Sequence, residues 1–200
     1  RQRMKIMYLL GYDIGSSSVK VALVEATSGQ MTGMSQYPEI ELVISAPHPD
    51  WAEQNPADWW EAACIATRKL LAQTSIGSRE IAGIGIAYQM HGLVLLSQKG
   101  EVLRPSIIWC DSRAVEIGQQ AFESLGKQFC LENYLNSPGN FTASKLRWVQ
   151  ENEPEVFAQI DKMMLPGDYI AYRMTGIIAT TVTGLSEGIF WDFKQNATAA

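Results

Sequence analysis

Short apolar runs separated by small polar turns fill the first part of the chain, a pattern that predicts β-strands. Apolar runs over residues 5–14, 19–25 and 31–35 are joined by a serine-rich turn and by a turn at residues 27–30, which predicts a β-meander. Residues 81–87 form a further short run rich in isoleucine, as is typical of a strand covered on both faces of its sheet.

Helical spacing of apolar residues appears after these strands and again near the end of the chain. Asn55 and Pro56 fit the cap and the first position of a helix. The predicted elements are helices over residues 56–73, 114–124 and 142–151 and strands over 93–97 and 106–109. Strands mixed with helices predict an α/β fold, which we expect to be one continuous domain over residues 1–200.

Composition narrows the classes of protein to which the chain can belong. The net charge of -5 comes without a block of basic residues, so no nucleic-acid partner is expected. Three scattered cysteines without a C-x-x-C pair argue against a disulfide framework and a structural zinc site. The apolar run at residues 6–10 is too short for a membrane span or a signal peptide. We therefore expect a cytoplasmic protein without a membrane partner.

The turn after the first predicted strand can bind a phosphate group. Gly15 allows a close approach of the backbone, Ser16, Ser17 and Ser18 offer hydroxyl and amide donors, and Asp13 can hold a magnesium ion directly or through water. An equally good interpretation is a tight β-hairpin whose glycine and serines serve the turn alone. The sequence is not that of a P-loop, since no G-x-x-x-x-G-K-[ST] occurs.

His91 follows an apolar strand in a loop that begins with Gln89 and Met90. Loops at strand ends commonly carry binding sites. The imidazole and the Gln89 amide can bond sugar hydroxyls while Met90 packs against the carbon skeleton. From the residues alone, a core histidine bonded to backbone is the favoured interpretation. His48, held between two prolines, is assigned no role.

Residues 109–113 place an indole, a carboxylate and a guanidinium at the end of another predicted strand. Trp109 can cover the apolar face of a sugar, while Asp111 and Arg113 bond its hydroxyls. Alternatively, Asp111 or Ser112 caps the next helix, which is the safer interpretation for Ser112, and Arg113 pairs with Asp111. Cys110 is assigned to packing.

A loop that contains Asn140 ends at Thr142, which we expect to be the N-cap of a helix that carries Lys145 in its first turns. Asp168 lies near the start of a later helix, where a carboxylate complements the helix dipole. Both segments are more often structural than functional.

Taken in order, these segments resemble the FGGY carbohydrate kinases, and within them the xylulose kinases, from about Tyr8 to Asp192. The resemblance is carried by five motifs in register. They are Asp13-Ile14-Gly15-Ser16-Ser17-Ser18-Val19-Lys20, Trp51-Ala52-Glu53-Gln54-Asn55-Pro56, Gln89-Met90-His91-Gly92, the stretch from Leu103 to Arg113, and Phe141-Thr142-Ala143-Ser144-Lys145-Leu146.

The resemblance implies a ribonuclease-H-like domain of the actin and hexokinase type, with a mixed β-sheet flanked by helices. It implies ATP and Mg²⁺ as cofactors, Asp13 as the magnesium-linked aspartate, and Gly15, Ser16, Ser17 and Ser18 as the first phosphate loop. It places the sugar against Met90, His91, Trp109 and Asn140. Gln89, Asp111 and Arg113, chosen above for their side chains, complete the predicted sugar-binding residues. The general base, an aspartate, and the nucleotide-binding half are expected beyond residue 200.

The chain departs from the family's pattern in three places, of which the last, in a region that faces the cleft in relatives, bears on the choice of sugar. W-N-D-G-R reads Trp109-Cys110-Asp111-Ser112-Arg113, P-K-D-Y reads Pro166-Gly167-Asp168-Tyr169, and S-D-x-x-G-T reads Thr183-Gly184-Leu185-Ser186-Glu187-Gly188. We expect the full-length protein to phosphorylate D-xylulose. A homodimer is the assembly considered for it. The alternatives are a kinase of ribulose, glycerol, fuculose or gluconate, and a sugar-binding module without catalysis.

Overall fold

Residues 6–199 are described by a computed structural model, and they fold into a mixture of strands and helices. The strands are β1 (Tyr8–Ile14), β2 (Val19–Glu25), β3 (Met31–Tyr37), β4 (Glu53–Gln54), β5 (Ile81–Tyr88), β6 (Val94–Leu96), β7 (Ser106–Ile107), β8 (Lys162–Met164), β9 (Trp191–Asp192) and β10 (Ala197–Thr198). The helices are α1 (Pro56–Thr74), α2 (Val115–Leu125), α3 (Lys127–Asn133), α4 (Thr142–Asn152), α5 (Pro154–Phe157), α6 (Pro166–Thr175) and α7 (Val182–Glu187).

The described chain divides into two compact units. The first contains residues 6–43 and 57–89, and the second contains residues 44–56 and 90–199. The predicted extent of one domain over residues 1–200 stays a prediction. Lys5, where the first predicted strand begins, lies outside the described residues.

The first unit is built on a four-stranded mixed sheet in the order β3-β2-β1-β5. β1, β2 and β3 pair antiparallel in sequence, which confirms the predicted meander, and β5 pairs parallel with β1. Side chains along β1 alternate between the faces, so that Leu10, Tyr12 and Ile14 are buried while Asp13 is exposed. The register brings Asp13 opposite Lys20 at the end of the β1–β2 hairpin.

Helix α1 covers the buried face of this sheet, and its bounds confirm the helix predicted from residue 56. Trp59, Ala66 and Leu70 are fully buried on its inner side. Removing each large apolar side chain from water contributes about 1.5–3 kcal/mol. Over β3 the helix comes so close that a Cβ at Gly33 would lie 3.0 Å from the Leu70 side chain.

Strand β5 lies where the isoleucine-rich run predicts a strand, but the expectation that both its faces are covered is wrong. None of its side chains is buried, and Ile84 is 51% exposed. The cause is that β5 is an edge strand. Helix α1 comes closest to the opposite edge of the sheet, near Gly33 of β3.

The second unit packs helices around two short antiparallel pairs, β4 with β7 and β6 with β8. Its core joins strand and helix through Leu93, Leu95, Ile107 and Val149. The predicted helices appear as α2 and α4, and the predicted strands as β6 and β7. Helix α5 begins at Pro154, directly after Glu153, the residue that caps the end of α4.

Two predicted helix caps are wrong. Ser112 donates its hydroxyl to the carbonyl of Asp50, and the N-cap of α2 is Ala114. Thr142 is the first residue of α4, whose N-cap is Phe141 without a side-chain bond.

Within residues 6–199, the helices are all too short or too polar to cross a membrane.

Candidate functional site

The β1–β2 hairpin of the first unit holds the predicted phosphate loop. The turn closes on itself, since the Gly15 amide donates to the Ser18 carbonyl at 3.1 Å. A Cβ at Gly15 would lie 2.9 Å from that carbonyl oxygen, so the position requires glycine. Ser18 is buried, whereas Ser17 is exposed. The segment is therefore a tight hairpin turn, and the phosphate-binding role of its glycine and serines stays a prediction.

Asp13 presents an exposed carboxylate beside this turn. Its nearest charged neighbour is Lys20, whose Nζ lies 3.7 Å from Oδ2, and both side chains are about half exposed. Among residues 6–199, no group of three or more histidine, cysteine or acidic side chains is placed to hold a metal. One carboxylate nevertheless fits Mg²⁺, because this ion keeps several waters and is commonly shared between one or two carboxylates and substrate phosphates.

His91, in the second unit, is held through its own backbone. Its φ of +60° is unusual for a residue other than glycine. Its amide donates to Glu187 Oε1, and its carbonyl accepts a bond from Lys145 Nζ at 2.7 Å. Since such conformations persist only where the surroundings fix them, this strained backbone marks a candidate functional position.

The turn at His91 is also closed sterically. A Cβ at Gly92 would overlap the ring of Pro166, the first residue of α6. On the other side, the His91 ring meets the edge of Phe141, with ring centroids 4.2 Å apart. The imidazole is thus 21% exposed rather than open to solvent.

Lys145 ties the His91 turn to the segment that leads to Trp109. Its Nζ donates to the carbonyls of His91 and Ile108, at 2.7 and 2.9 Å. The side chain is completely buried, and this burial lowers the pKa of Lys145 from 10.5 to about 8, against the opposing charge of Asp111. The charge that the sequence placed on this helix is directed at backbone, not at solvent.

Asp111 and Arg113 bond each other. The guanidinium of Arg113 reaches both carboxylate oxygens of Asp111, at 2.6–3.0 Å, and Asp111 Oδ2 also accepts from the Ala52 amide at 2.6 Å. Asp111 is fully buried, and the Arg113 side chain is 1% exposed. The pairing considered as the alternative is therefore present, and the sugar-binding role of both residues stays a prediction.

A cage of aromatic and acidic side chains surrounds Arg113. The guanidinium lies 3.8 Å from the ring centroid of Trp51 and 4.8 Å from that of Trp148. Glu53 forms an ion pair with it, with 2.8 Å between Oε1 and Nη1, and also pairs with Arg104. This buried network fixes the residues that follow Trp109 in the chain.

Trp109 and Met90 remain accessible, at 49% and 56% exposure. Asn140 donates to the Asp111 carbonyl. Its Oδ1 is buried and accepts no hydrogen bond from the described residues. Contacts within the second unit thus link three of the predicted sugar-binding residues. His91 packs on Phe141 and accepts a bond from Lys145. Asn140, which precedes Phe141, donates to the Asp111 carbonyl.

The predicted magnesium-binding and phosphate-binding residues lie in the first unit. Asp13 and residues 15–18 belong to it, as does Gln89, whose amide extends the strand pairing by donating to Ile14. Gln89 and Met90 therefore stand at the point where the chain passes from one unit to the other.

The sequence placed Glu187 only within the altered stretch at residues 183–188 and Lys145 only in the first turns of a helix, without linking either to His91. Glu187 had a usable signal, because it is the sole charged residue between Arg173 and Asp192. Lys145 also had a usable signal, because it lies close to Leu146 and Val149 in a helix that contributes these side chains to the core. A lone charge in an apolar segment is seldom buried without a partner.

The comparisons with known proteins establish the family. The FGGY family of carbohydrate kinases, N-terminal domain, matches residues 8–197. The chain belongs to this family, and the predicted ribonuclease-H-like fold of the actin and hexokinase type is confirmed by sugar-kinase structures that share it.

Among curated relatives, a xylulose kinase of Klebsiella pneumoniae is 40% identical over 185 residues, which are 92% of this chain and 36% of that protein. The xylulose kinase structure from Rhodospirillum rubrum is 29% identical with a TM-score of 0.85, over 96% of this chain and 39% of that one. A gluconate kinase structure from Lactobacillus acidophilus is 26% identical with a TM-score of 0.85, over 97% and 38%. The chain thus spans little more than a third of the relatives it matches.

Proposed function

We propose that the protein to which this chain belongs transfers a phosphoryl group from ATP to D-xylulose, giving D-xylulose 5-phosphate. The observation that carries the proposal is the tie that Lys145 makes between the carbonyls of His91 and Ile108. It joins two segments that each carry an exposed apolar side chain, Met90 just before His91 and Trp109 just after Ile108. Identity of 40% with a xylulose kinase supports the choice of sugar.

The accessible groups suit a polyol. A sugar offers hydroxyls to polar partners and a C–H face to an aromatic ring, and Trp109 is open for such a contact. His91 supplies a ring nitrogen, and Asn140 Oδ1 is a buried acceptor that a hydroxyl can satisfy. Phosphoryl transfer depends mainly on positioning and charge neutralisation, so rigidly held polar groups are what the reaction requires.

In this proposal, ATP phosphates meet the turn formed by Gly15, Ser16, Ser17 and Ser18, and Asp13 holds Mg²⁺ directly or through water. The metal, when bound, neutralises charge on the phosphates. Asp111 and Arg113 act by holding the loop after Trp109, because each already satisfies the other. The carboxylate that accepts the proton of the sugar hydroxyl is expected from a part of the protein outside residues 1–200.

ADP release by the full-length gene product tests the proposal. With Mg²⁺ and ATP, we expect kcat/KM for D-xylulose to exceed that for L-xylulose, ribulose, glycerol, fuculose and gluconate by about tenfold or more, a difference of about 1.4 kcal/mol. Preference for another polyol would keep the kinase and replace the sugar. Calorimetric sugar binding without turnover of any of them would instead favour a binding module.

Two variants test the residue roles in that protein. Asp13→Ala is expected to lower kcat by about a hundredfold or more while leaving the calorimetric Kd for sugar unchanged. His91→Ala is expected to raise the KM for sugar about tenfold, with the KM for ATP unchanged. Asp161→Ala is the control, since Asp161 makes an exposed pair with Lys162. An Asp13→Ala variant with normal turnover would remove Asp13 from the site.

A further inference from the structure

The contact between Glu187 and His91 has a consequence for the proton on the imidazole. Oε1 of Glu187 accepts the backbone amide of His91 and also lies 2.8 Å from its Nδ1. We propose that Glu187 is a positioning residue that keeps a proton on Nδ1 and thereby presents a bare Nε2 to a hydroxyl of the sugar. This inference rests on the proposed function, in which His91 contacts the sugar.

The location of the proton follows from charge. An unprotonated Nδ1 would direct its lone pair at a carboxylate oxygen 2.8 Å away, which is repulsive, whereas an N–H there is attracted. In the neutral imidazole only one nitrogen carries hydrogen, so Nε2 is left as an acceptor. Nδ1 lies within 2.8 Å of this oxygen without meeting the full geometry of a hydrogen bond. Such bonds in binding sites commonly tighten when the substrate arrives.

The second oxygen of Glu187 is also informative. Oε2 is buried and accepts no hydrogen bond from the described residues. Burial lowers the pKa of Lys145, and Glu187 is one of the acidic neighbours that oppose this effect. Glu187 and Lys145 therefore act on the same residue from both sides, one at the amide of His91 and the other at its carbonyl.

The helix that carries Glu187 is anchored at both ends. Thr181 caps α7 by accepting the Gly184 amide at 3.0 Å. At the other end, the Gly188 carbonyl accepts the amide of Ala143 in α4 at 3.0 Å. Because α4 also carries Lys145, the two groups that hold His91 are fixed to each other through backbone.

The test is the tautomer of His91 in the full-length protein, read from imidazole nitrogen-15 shifts and assigned with a His91→Gln variant. At about pH 8, we expect hydrogen on Nδ1 and none on Nε2. Glu187→Ala is expected to lose this tautomer. A wild-type His91 with its proton on Nε2 would overturn the proposal, even if Glu187→Ala cannot be folded.

Kinetics give an independent reading. Glu187→Ala is expected to raise the KM for sugar by about tenfold with the KM for ATP unchanged. Glu187→Gln, which keeps an acceptor oxygen, is expected to restore most of the affinity. Glu151→Ala is the control, since Glu151 makes an exposed pair with Arg147. An unchanged sugar KM in Glu187→Ala would overturn the proposal. If no sugar is phosphorylated, the proposed function fails, and the tautomer still decides the role of Glu187.

Discussion

Lys145 carries its ammonium group into the interior of the second unit and directs it at two backbone carbonyls. Burial lowers the pKa of Lys145 to about 8. Between about pH 8 and 10.5, the unfolded chain therefore binds a proton that the folded chain has released. Folding stability rises with pH across that window, since the unfolded state binds more protons there.

Replacing Lys145 by methionine removes this effect and leaves the two carbonyls without their donor. We expect the free energy of unfolding of the wild type, relative to Lys145→Met, to grow by on the order of 3 kcal/mol from about pH 7 to about pH 10. Urea unfolding at both pH values measures it. Lys99→Met, at an exposed position, should show no such trend. A difference that is constant with pH would mean that Lys145 keeps its ordinary pKa.

The sequence predicted where the candidate site lies better than how it is held. The loops of His91 and Trp109 could be found because polar and aromatic groups follow apolar strands. Lys145 and Glu187 could not be joined to His91, because these contacts link positions 54 and 96 residues apart. The pairing of Asp111 with Arg113 was available as an alternative, since only two positions separate them.

At the scale of elements, helix α2 shows close packing against a functional loop. Gly118 on α2 is buried, and a Cβ there would overlap the carbonyl oxygen of Gly139. Gly139 itself has a positive φ of +41° and precedes Asn140. The approach of α2 to this loop therefore requires glycine on both sides.

Gly118→Ala tests this packing, because helix propensity and sterics predict opposite signs. Propensity alone would stabilise the variant by up to about 1 kcal/mol, whereas the overlap is expected to destabilise it by about 1–3 kcal/mol. Thermal or urea unfolding distinguishes them. Gly11→Ala is the control, since nothing lies within 4 Å of the added carbon. A more stable Gly118→Ala would show that the loop yields without cost.

Local pattern sufficed for long elements and failed for short ones. The meander and α1 follow from alternation and helical spacing within the segments themselves. Strand β8 has three residues and exists through its pairing with β6, and α7 has six residues and depends on its Thr181 cap. The burial of β5 was mispredicted, because an apolar run does not show whether its strand lies at the edge of a sheet.

At the scale of the whole chain, β5 leaves apolar side chains open along an unpaired edge of the described sheet. Such edges favour association between chains. When residues 1–200 are produced alone, Ile84→Lys is expected to reduce self-association, measured by light scattering over a concentration series. Ile40→Lys, which changes the same charge at a position 85% exposed and outside the strands, should have little effect. Equal effects would assign the association to charge alone.

The chain passes between its two units after residues 43, 56 and 89. Neither unit is therefore one stretch of gene, and expressing either by itself would need a permuted or stitched reading frame. During synthesis, the first unit stays incomplete until β5 has left the ribosome. By then residues 44–56 have also been synthesised, but the rest of the second unit has not. Strand β4 in this segment can pair with β7 only after residue 107 has been synthesised.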